Sequence, residues 1–338
     1  MNFFELGARE RVGEANVWMK LDRMIDWEKI RERLKGFHRK EEEDRGGQRP
    51  YDVLKMFKAI VLGQWHSLSD PELEHSLRVR VDFILFCGFE MNEAVPDETT
   101  LCRFRNQLIR LGLLEELLGV VNGQLERDGL KVQKSRGAVV DATVIESAAR
   151  PRKTVEVEVA VDRQEEEIQA SSLPIVEESK DPDARWLKKG KKCFFGYKGF
   201  IRTDVEDGYI EAVKVTPAHE AEVNKLEDLI GENQGRRVYA DKAYSSKANR
   251  QILKKAKMRD AVMHKAVRGT PLSLRQKMRN KLISGHRFII EQAFGTLKRK
   301  FRMARASYFT TQKVAAQMFL KAICFNLLKA SNKILCST

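Results

Sequence analysis

The chain has 338 residues, 42% of them hydrophobic, with 62 Lys plus Arg against 48 Asp plus Glu and a formal charge of +14 at pH 7. That apolar share excludes a wholly disordered chain, and the length allows two domains with a sizeable core. The cationic excess favours a polyanionic partner, because neutralising phosphates releases condensed counter-ions, although ribosomal and membrane-surface proteins share such a balance.

The first third reads as helical. Asp52 is placed to cap a segment in which Leu54, Phe57, Ile60, Val61 and Trp65 recur at three- and four-residue spacing. Ser69-Asp70-Pro71-Glu72 has the form of a capping box with proline in the first turn, opening a helix through Leu73 and Leu77. Pro96-Asp97-Glu98 marks another start, and a last helix runs through Leu117, Val120 and Leu125 to Gly129.

The pattern changes at Gly137. AVVDATVI is short, apolar and β-branched, as suits a strand buried on both faces. Between Glu156 and Asp183 stand ten acids against Arg163 and Lys180, which predicts a solvated, partly disordered insertion at about 150–185. Strands are expected at about 193–205 and 209–216, joined through Asp207-Gly208, since Asp-Gly supplies the positive φ of a tight hairpin turn. A helix near 219–231, a strand at 237–240, a helix near 245–257 and a short strand at 261–263 follow. Long helices at about 284–303 and 311–330 close the chain. A hairpin followed by alternating helices and strands implies a mixed sheet flanked by helices. The fold class is therefore an N-terminal helical domain over 1–130 and an α/β domain over 131–338.

Five scattered cysteines without a C-x-x-C pair make a zinc site improbable and fit reduced thiols in a reducing compartment. The N-terminal residues carry charges where a signal peptide needs an apolar run, and no uncharged stretch reads as a membrane span. A cytoplasmic protein with no membrane partner is expected.

Three carboxylates stand in surroundings that disfavour them. Asp141 interrupts the most apolar strand, where an ionised group is costly without a cation or donors. Asp241 ends the Val238-Tyr239-Ala240 strand, the usual edge for ligands in open α/β sheets. Glu291 is the sole acid between Pro271 and Ala306, among ten Lys or Arg. On that helix Ile290, Phe294, Leu297 and Phe301 form the inward stripe, and Arg287, Glu291, Lys298 and Arg302 an adjacent one. Each acid also has a plainer reading, a capping aspartate or an Arg287–Glu291 ion pair one turn apart. Together they suggest a hard-cation site of the Mg2+ type.

The blocks VVDATVIES, DPDARWLKKGKKCFFGYKGF, VYADKAYSS and HRFIIEQAFGTLKRKF, with RPYDVLKMFKAIVLGQWHSLSDPELEHSLRVRVDFILFCGF and VPDETTLCRFRNQL before them, resemble bacterial insertion-sequence transposases of the DDE superfamily, in the "IS-five" group. The resemblance covers nearly the whole chain. It implies an RNase H-like fold for about 135–330, catalytic and metal-binding roles for Asp141, Asp241 and Glu291, and two Mg2+ ions, with Mn2+ able to substitute. The implied partners are double-stranded DNA, as terminal inverted repeats and target, and a second copy in a DNA-bound homodimer, nucleoid-associated when bound. Around the third acid the family has Tyr, two residues, Arg, three residues, Glu, six residues, Lys. Arg287, Glu291 and Lys298 fit, whereas Ser284 stands at the Tyr position with His286 nearby.

Arg287, Lys298 and Arg302, the cations beside the third acid, are expected to hold DNA phosphates. Further candidates for DNA contact are Arg103 and Arg105, on a segment resembling a recognition helix, and Trp186, which could stack on an exposed base from its basic run. An ordinary bundle helix and a core tryptophan are the plainer alternatives. His219 is either near the metals or a histidine at a helix start. Two other functions share these features: a DNA-binding regulator with a decayed catalytic core, and an RNase H-like nuclease that hydrolyses without joining strands.

Overall fold

The computed structural model describes residues 3–37, 50–151, 154–156, 174–176, 179–231, 235–267 and 269–335. The helical part comprises α1 (Phe3–Val12), α2 (Val17–Met24), α3 (Trp27–Arg33), α4 (Val53–His66), α5 (Asp70–Val79), α6 (Val81–Cys87), α7 (Glu98–Arg110) and α8 (Leu113–Arg127). The starts read from sequence hold locally. Asp52 accepts from the N–H groups of Leu54 and Lys55, Ser69 and Glu72 close a reciprocal capping box, and Asp97 caps α7 through Thr100.

The sheet part comprises β1 (Gly137–Glu146), β2 (Thr154–Glu156), β3 (Pro174–Val176), β4 (Arg185–Lys189), β5 (Lys192–Asp204), β6 (Ile210–Pro217), α9 (Leu226–Ile230), β7 (Arg237–Ala240), α10 (Lys247–Lys255), β8 (Arg259–Val262), α11 (Leu274–Arg299) and α12 (Thr311–Leu335). The main sheet runs β6-β5-β1-β7-β8, with β4 pairing the start of β5. β5 is antiparallel to both β6 and β1, whereas β7 is parallel to both β1 and β8. Gly196 is required where β5 crosses the end of β1, since a Cβ there would lie 2.2 Å from the Ile145 carbonyl oxygen. β2 and β3 form a separate two-stranded antiparallel sheet. Most of the acidic segment lies outside the described residues, and with it the expectation of disorder there.

Several boundaries differ from the sequence reading. The β5–β6 connection is wider than a two-residue turn: buried Asp204 accepts hydrogen bonds from the N–H groups of Glu206, Asp207, Gly208 and Tyr209. Gly208 does adopt positive φ, +71°. The helix expected near 219–231 is a 3-10 turn, Glu222–Lys225, followed by the short α9, because only Leu226, Leu229 and Ile230 bury apolar side chains there. Strand β4 was not anticipated. α11 starts ten residues earlier than expected, on a Ser273–Gln276 capping box, and ends at Arg299.

The sheet is covered on both faces. One apolar cluster joins Val140, Phe200, Val238 and Val262 to Leu226, Leu229 and Leu253 of α9 and α10. On the other face Val139, Ile201 and Tyr239 meet Ile290 and Phe294 of α11 and the apolar side of α12, and that cluster continues into α2–α8. The helical and sheet parts therefore share one core, with α12 between α4 and α8 on one side and β5 and β6 on the other. A buried polar staple fixes this junction. Asn326 accepts from the Ile210 N–H (2.9 Å) and donates to the Ile210 carbonyl (2.8 Å) and Asn122 Oδ1 (2.7 Å), while Asn122 donates to the same carbonyl (3.0 Å). Helix α12 is long and apolar enough to cross a membrane, with mean hydropathy 1.2 over its most apolar 18 residues, a feature the sequence reading did not anticipate; 78% of that window is buried in this core.

Candidate active site

Strand register brings two of the three acids together. β1 and β7 run parallel with Val140 opposite Ala240, so the next residues on each strand are Asp141 and Asp241. Side chains alternate along a strand, which puts both carboxylates on the face that carries Val139 and Tyr239, toward α11. There Arg287 of α11 meets them. Its Nη2 donates to Asp141 Oδ2 at 2.6 Å, and its Nη1 lies 3.8 Å from Asp241 Oδ1. Asp141 Oδ1 accepts from the Ala142 N–H at 2.9 Å, and Asp241 Oδ1 from the Lys242 N–H at 2.6 Å.

The electrostatics leave the site short of positive charge. Burial pushes the Asp141 carboxyl above the ordinary aspartate range, and Asp241 adds to this, while Arg287 and the Ala142 N–H offset it only in part. Arg287 is held above its own ordinary value because Asp141, Asp241 and Glu291 outweigh the cost of its burial. One guanidinium thus serves two crowded carboxylates. Tyr244, fully buried, follows Asp241 by one short turn; its hydroxyl has no hydrogen-bond partner among the described residues. Burial and then the charges of Glu222, Asp141 and Asp241 push that phenol far up, so it stays neutral.

Glu291 stands one helical turn beyond Arg287 and is exposed. Its charge reaches Arg287, but the three acids do not converge: among the described residues no group of three or more His, Cys, Asp or Glu is close enough to hold a metal ion. Asp141 and Asp241 nevertheless fit a hard divalent cation, being oxygen donors side by side on adjacent strand ends and drawing a cation already.

The other singled-out residues fall in different places. Lys298 is half-buried on α11, and burial together with the charge of Lys189, at the end of β4, lowers its pKa. Arg302 is exposed but not on the helical stripe, a correction to the sequence reading: α11 has ended, and Arg302 takes φ +50°. Arg103 is exposed on α7. Arg105 is a second correction. It is 5% exposed, donates to both Asp70 oxygens (2.6 and 2.8 Å) and lies over the Tyr308 ring, so it holds α7 against α5 and the segment after α11. Trp186 is half-buried on β4, packed against Phe195 at 5.2 Å with Arg150 over its ring. His219 is exposed in the turn after β6, two residues before Ala221, which caps the 3-10 turn. Ser284 is exposed on α11, and His286 packs on Tyr239 at 4.4 Å.

One pair escaped the sequence reading. Buried Asp181 accepts from Ser147 Oγ (2.6 Å), from the Tyr197 hydroxyl and from the Thr310 N–H (3.1 Å), and Asp183 accepts from the Thr311 N–H (2.8 Å). Asp181-Pro182-Asp183 therefore ties the start of α12 to β1 and β5. The signal was an Asp-Pro-Asp cluster at the edge of an acidic run, where two structural acids look like two more solvated ones.

Residues 133–327 match the family described as Transposase DDE domain, and residues 7–107 match Transposase domain (DUF772). A curated relative, the "Transposase for insertion sequence element IS1106" of Neisseria meningitidis serogroup B, is 47% identical over 234 residues, covering 69% of this chain and 78% of the relative. The chain belongs to the DDE transposases of insertion sequences. Among solved structures, the "Crystal structure of the Mos1 mariner paired end complex with Mn" aligns over 91% of this chain and 85% of that one, at 11% identity and a TM-score of 0.20. So low a score leaves the fold to be judged on its own strand order. Membership of this family implies dependence on a divalent metal.

Proposed function

We propose that this transposase binds the terminal inverted repeats of its insertion sequence, cuts the strand at each end and joins the freed end to target DNA. The observation that carries the reading is the Asp141–Asp241 pair, set side by side by parallel strands and short of positive charge. The strand order β6-β5-β1-β7-β8, three antiparallel strands followed by two parallel ones, supports an RNase H-like catalytic core over about 131–338.

In this reading Asp141 and Asp241 would hold the metal, and Glu291, exposed one turn beyond Arg287 and short of the pair in this structure, would be brought in to complete the ligand set. Two Mg2+ ions, or Mn2+ in their place, would supply activation of the attacking oxygen and stabilisation of the leaving one. Water first opens the phosphodiester at the element's end; the freed 3′-hydroxyl then attacks a target phosphodiester in line. Lys298, with no acid partner among the described residues and repelled by Lys189, is suited to a backbone phosphate. Arg302 and exposed Arg103 extend the cationic surface, the latter on a helix of the proposed N-terminal DNA-binding domain over 1–130. Trp186 is half-buried, and a base unpaired at the cut end would stack on it in place of Arg150, which lies over its ring. Both ends must be handled together, which supports a homodimer in the DNA complex.

The test is incubation of a labelled duplex carrying the element's own end with target DNA and Mg2+. Cleaved ends joined to target are expected. Cleavage without joining would favour the nuclease reading, and binding without cleavage the decayed regulator.

A further inference from the structure

Arg287 sits where a phosphate-binding side chain has no reason to be. Rather than pointing outward along the stripe of Glu291 and Lys298, its guanidinium bridges Asp141 (2.6 Å) and Asp241 (3.8 Å), the two carboxylates that would take the metal. Its own seat is imperfect: Nε is buried with no hydrogen-bond partner among the described residues. A guanidinium is also the fork that fits two phosphate oxygens at once. Two cations cannot share this space comfortably, because a divalent ion beside a guanidinium in a part-buried site is repelled by it.

We infer that Arg287 is a counter-ion switch: it neutralises Asp141 and Asp241 in the metal-free protein and must leave them when a divalent cation binds, moving onto a DNA phosphate. The inference rests on the reading of these aspartates as the metal site, and it makes Arg287 a positioning residue acting through them. Phosphate that draws the guanidinium away uncovers the carboxylates, and a cation on the carboxylates releases the guanidinium for phosphate. Binding of one therefore strengthens binding of the other by the same factor. The device keeps the metal site closed until DNA is in place.

The test is Mn2+ binding to the full chain, followed by the electron paramagnetic resonance signal of free Mn2+, with and without a duplex already cut at the element's end. Wild type is expected to bind Mn2+ weakly alone and about tenfold more tightly with DNA, within the ordinary range of such couplings. Arg287→Met is expected to bind Mn2+ about tenfold more tightly than wild type without DNA, and to gain little from it. Arg287→Lys, which keeps the charge, should stay near wild type, and Asp141→Asn should lose Mn2+ in every condition. Circular dichroism verifies folding, and Arg287→Gln replaces Arg287→Met if that variant fails to fold. Unchanged or weaker Mn2+ binding by the uncharged variant, with Asp141→Asn still losing it, would overturn the switch and leave the catalytic reading standing. Undiminished Mn2+ binding by Asp141→Asn would overturn both.

Discussion

At the scale of single residues, what a side chain costs its surroundings separates function from structure. Asp141 was legible because an aspartate in mid-strand among Val139, Val140 and Val144 needs a cation, and the structure supplies Arg287. That Arg287 spends its charge on the two aspartates was not legible, since its helical spacing from Glu291 fits a local ion pair equally well. Arg103 and Arg105 show the same limit: two residues apart on one helix, they face opposite ways, and no local rule says which is buried against Asp70. Arg105→Ala is expected to cost about 3 kcal/mol of stability, because Asp70 loses its buried partner. Arg103→Ala should stay within about 0.5 kcal/mol of wild type in urea unfolding. In DNA-binding titrations Arg103→Ala should weaken affinity for the terminal repeat; unchanged affinity would remove α7 from the proposed contact surface.

His66 gives a pH prediction at the same scale. At the end of α4 it packs against the Trp18 and Phe83 rings, and its Nε2 is buried without a partner among the described residues. Burial, then the charge of Arg80, lowers its pKa from 6.5 to about 4. The folded state thus resists the proton that the unfolded chain accepts near 6.5, so this contribution is full above that pH and is lost as pH falls toward 4. Stability should fall by about 2 kcal/mol more in wild type than in His66→Phe between pH 7 and 4, measured by urea unfolding. Parallel pH profiles of the two proteins would show that His66 does not titrate this way.

At the scale of elements, the strands and helices with one apolar side and a capping residue were readable, and those with neither were not. β4 is an edge strand whose sequence, RWLKK, carries charge on its exposed positions, as edges do to avoid unwanted pairing, and so it reads as a basic loop. The first turns of α11 were missed because Leu274, Met278 and Leu282 lie exposed, so no inward stripe announces them, although the Ser273–Gln276 capping box does. The β5–β6 loop shows how a correct signal was assigned too small a structure: Gly208 supplies the positive φ, but Asp204 holds the loop. Asp204→Ala would strip one acceptor from four backbone N–H groups and should destabilise the protein by about 3 kcal/mol in urea unfolding, more than Asp207→Ala. Equal effects would assign the loop to Asp207, which accepts from the Val132 N–H and from Lys333.

At the scale of the whole molecule, α12 decides the architecture. The last helix of the chain fills the space between the first helices and the sheet, and no local pattern reveals so distant a pairing. Residues 108–132 separate the two family matches, yet the core passes across that division through α12 and the Asn122–Ile210–Asn326 staple. Unfolding should accordingly be one transition. In a Trp186→Phe background, Trp18, Trp27 and Trp65 report the helical part by fluorescence and circular dichroism reports the whole; coincident curves are expected, whereas an earlier fluorescence transition would show two independent domains. Asn326→Leu should lower the midpoint for both probes together, because it leaves the Ile210 N–H and Asn122 Oδ1 without these partners in the core.

The central claim is that Asp141, Asp241 and Glu291 form the metal-dependent centre that cuts DNA. The most direct measurement compares wild type, Asp141→Asn, Asp241→Asn and Glu291→Gln on a labelled duplex carrying the element's end, with Mg2+ and again with Mn2+, alongside DNA binding by each protein. The account predicts nicking at the end by wild type alone, falling by about a thousandfold or more in each variant while DNA binding persists. Undiminished cleavage by any one of the three variants would contradict it, and would place the chemistry elsewhere on the chain.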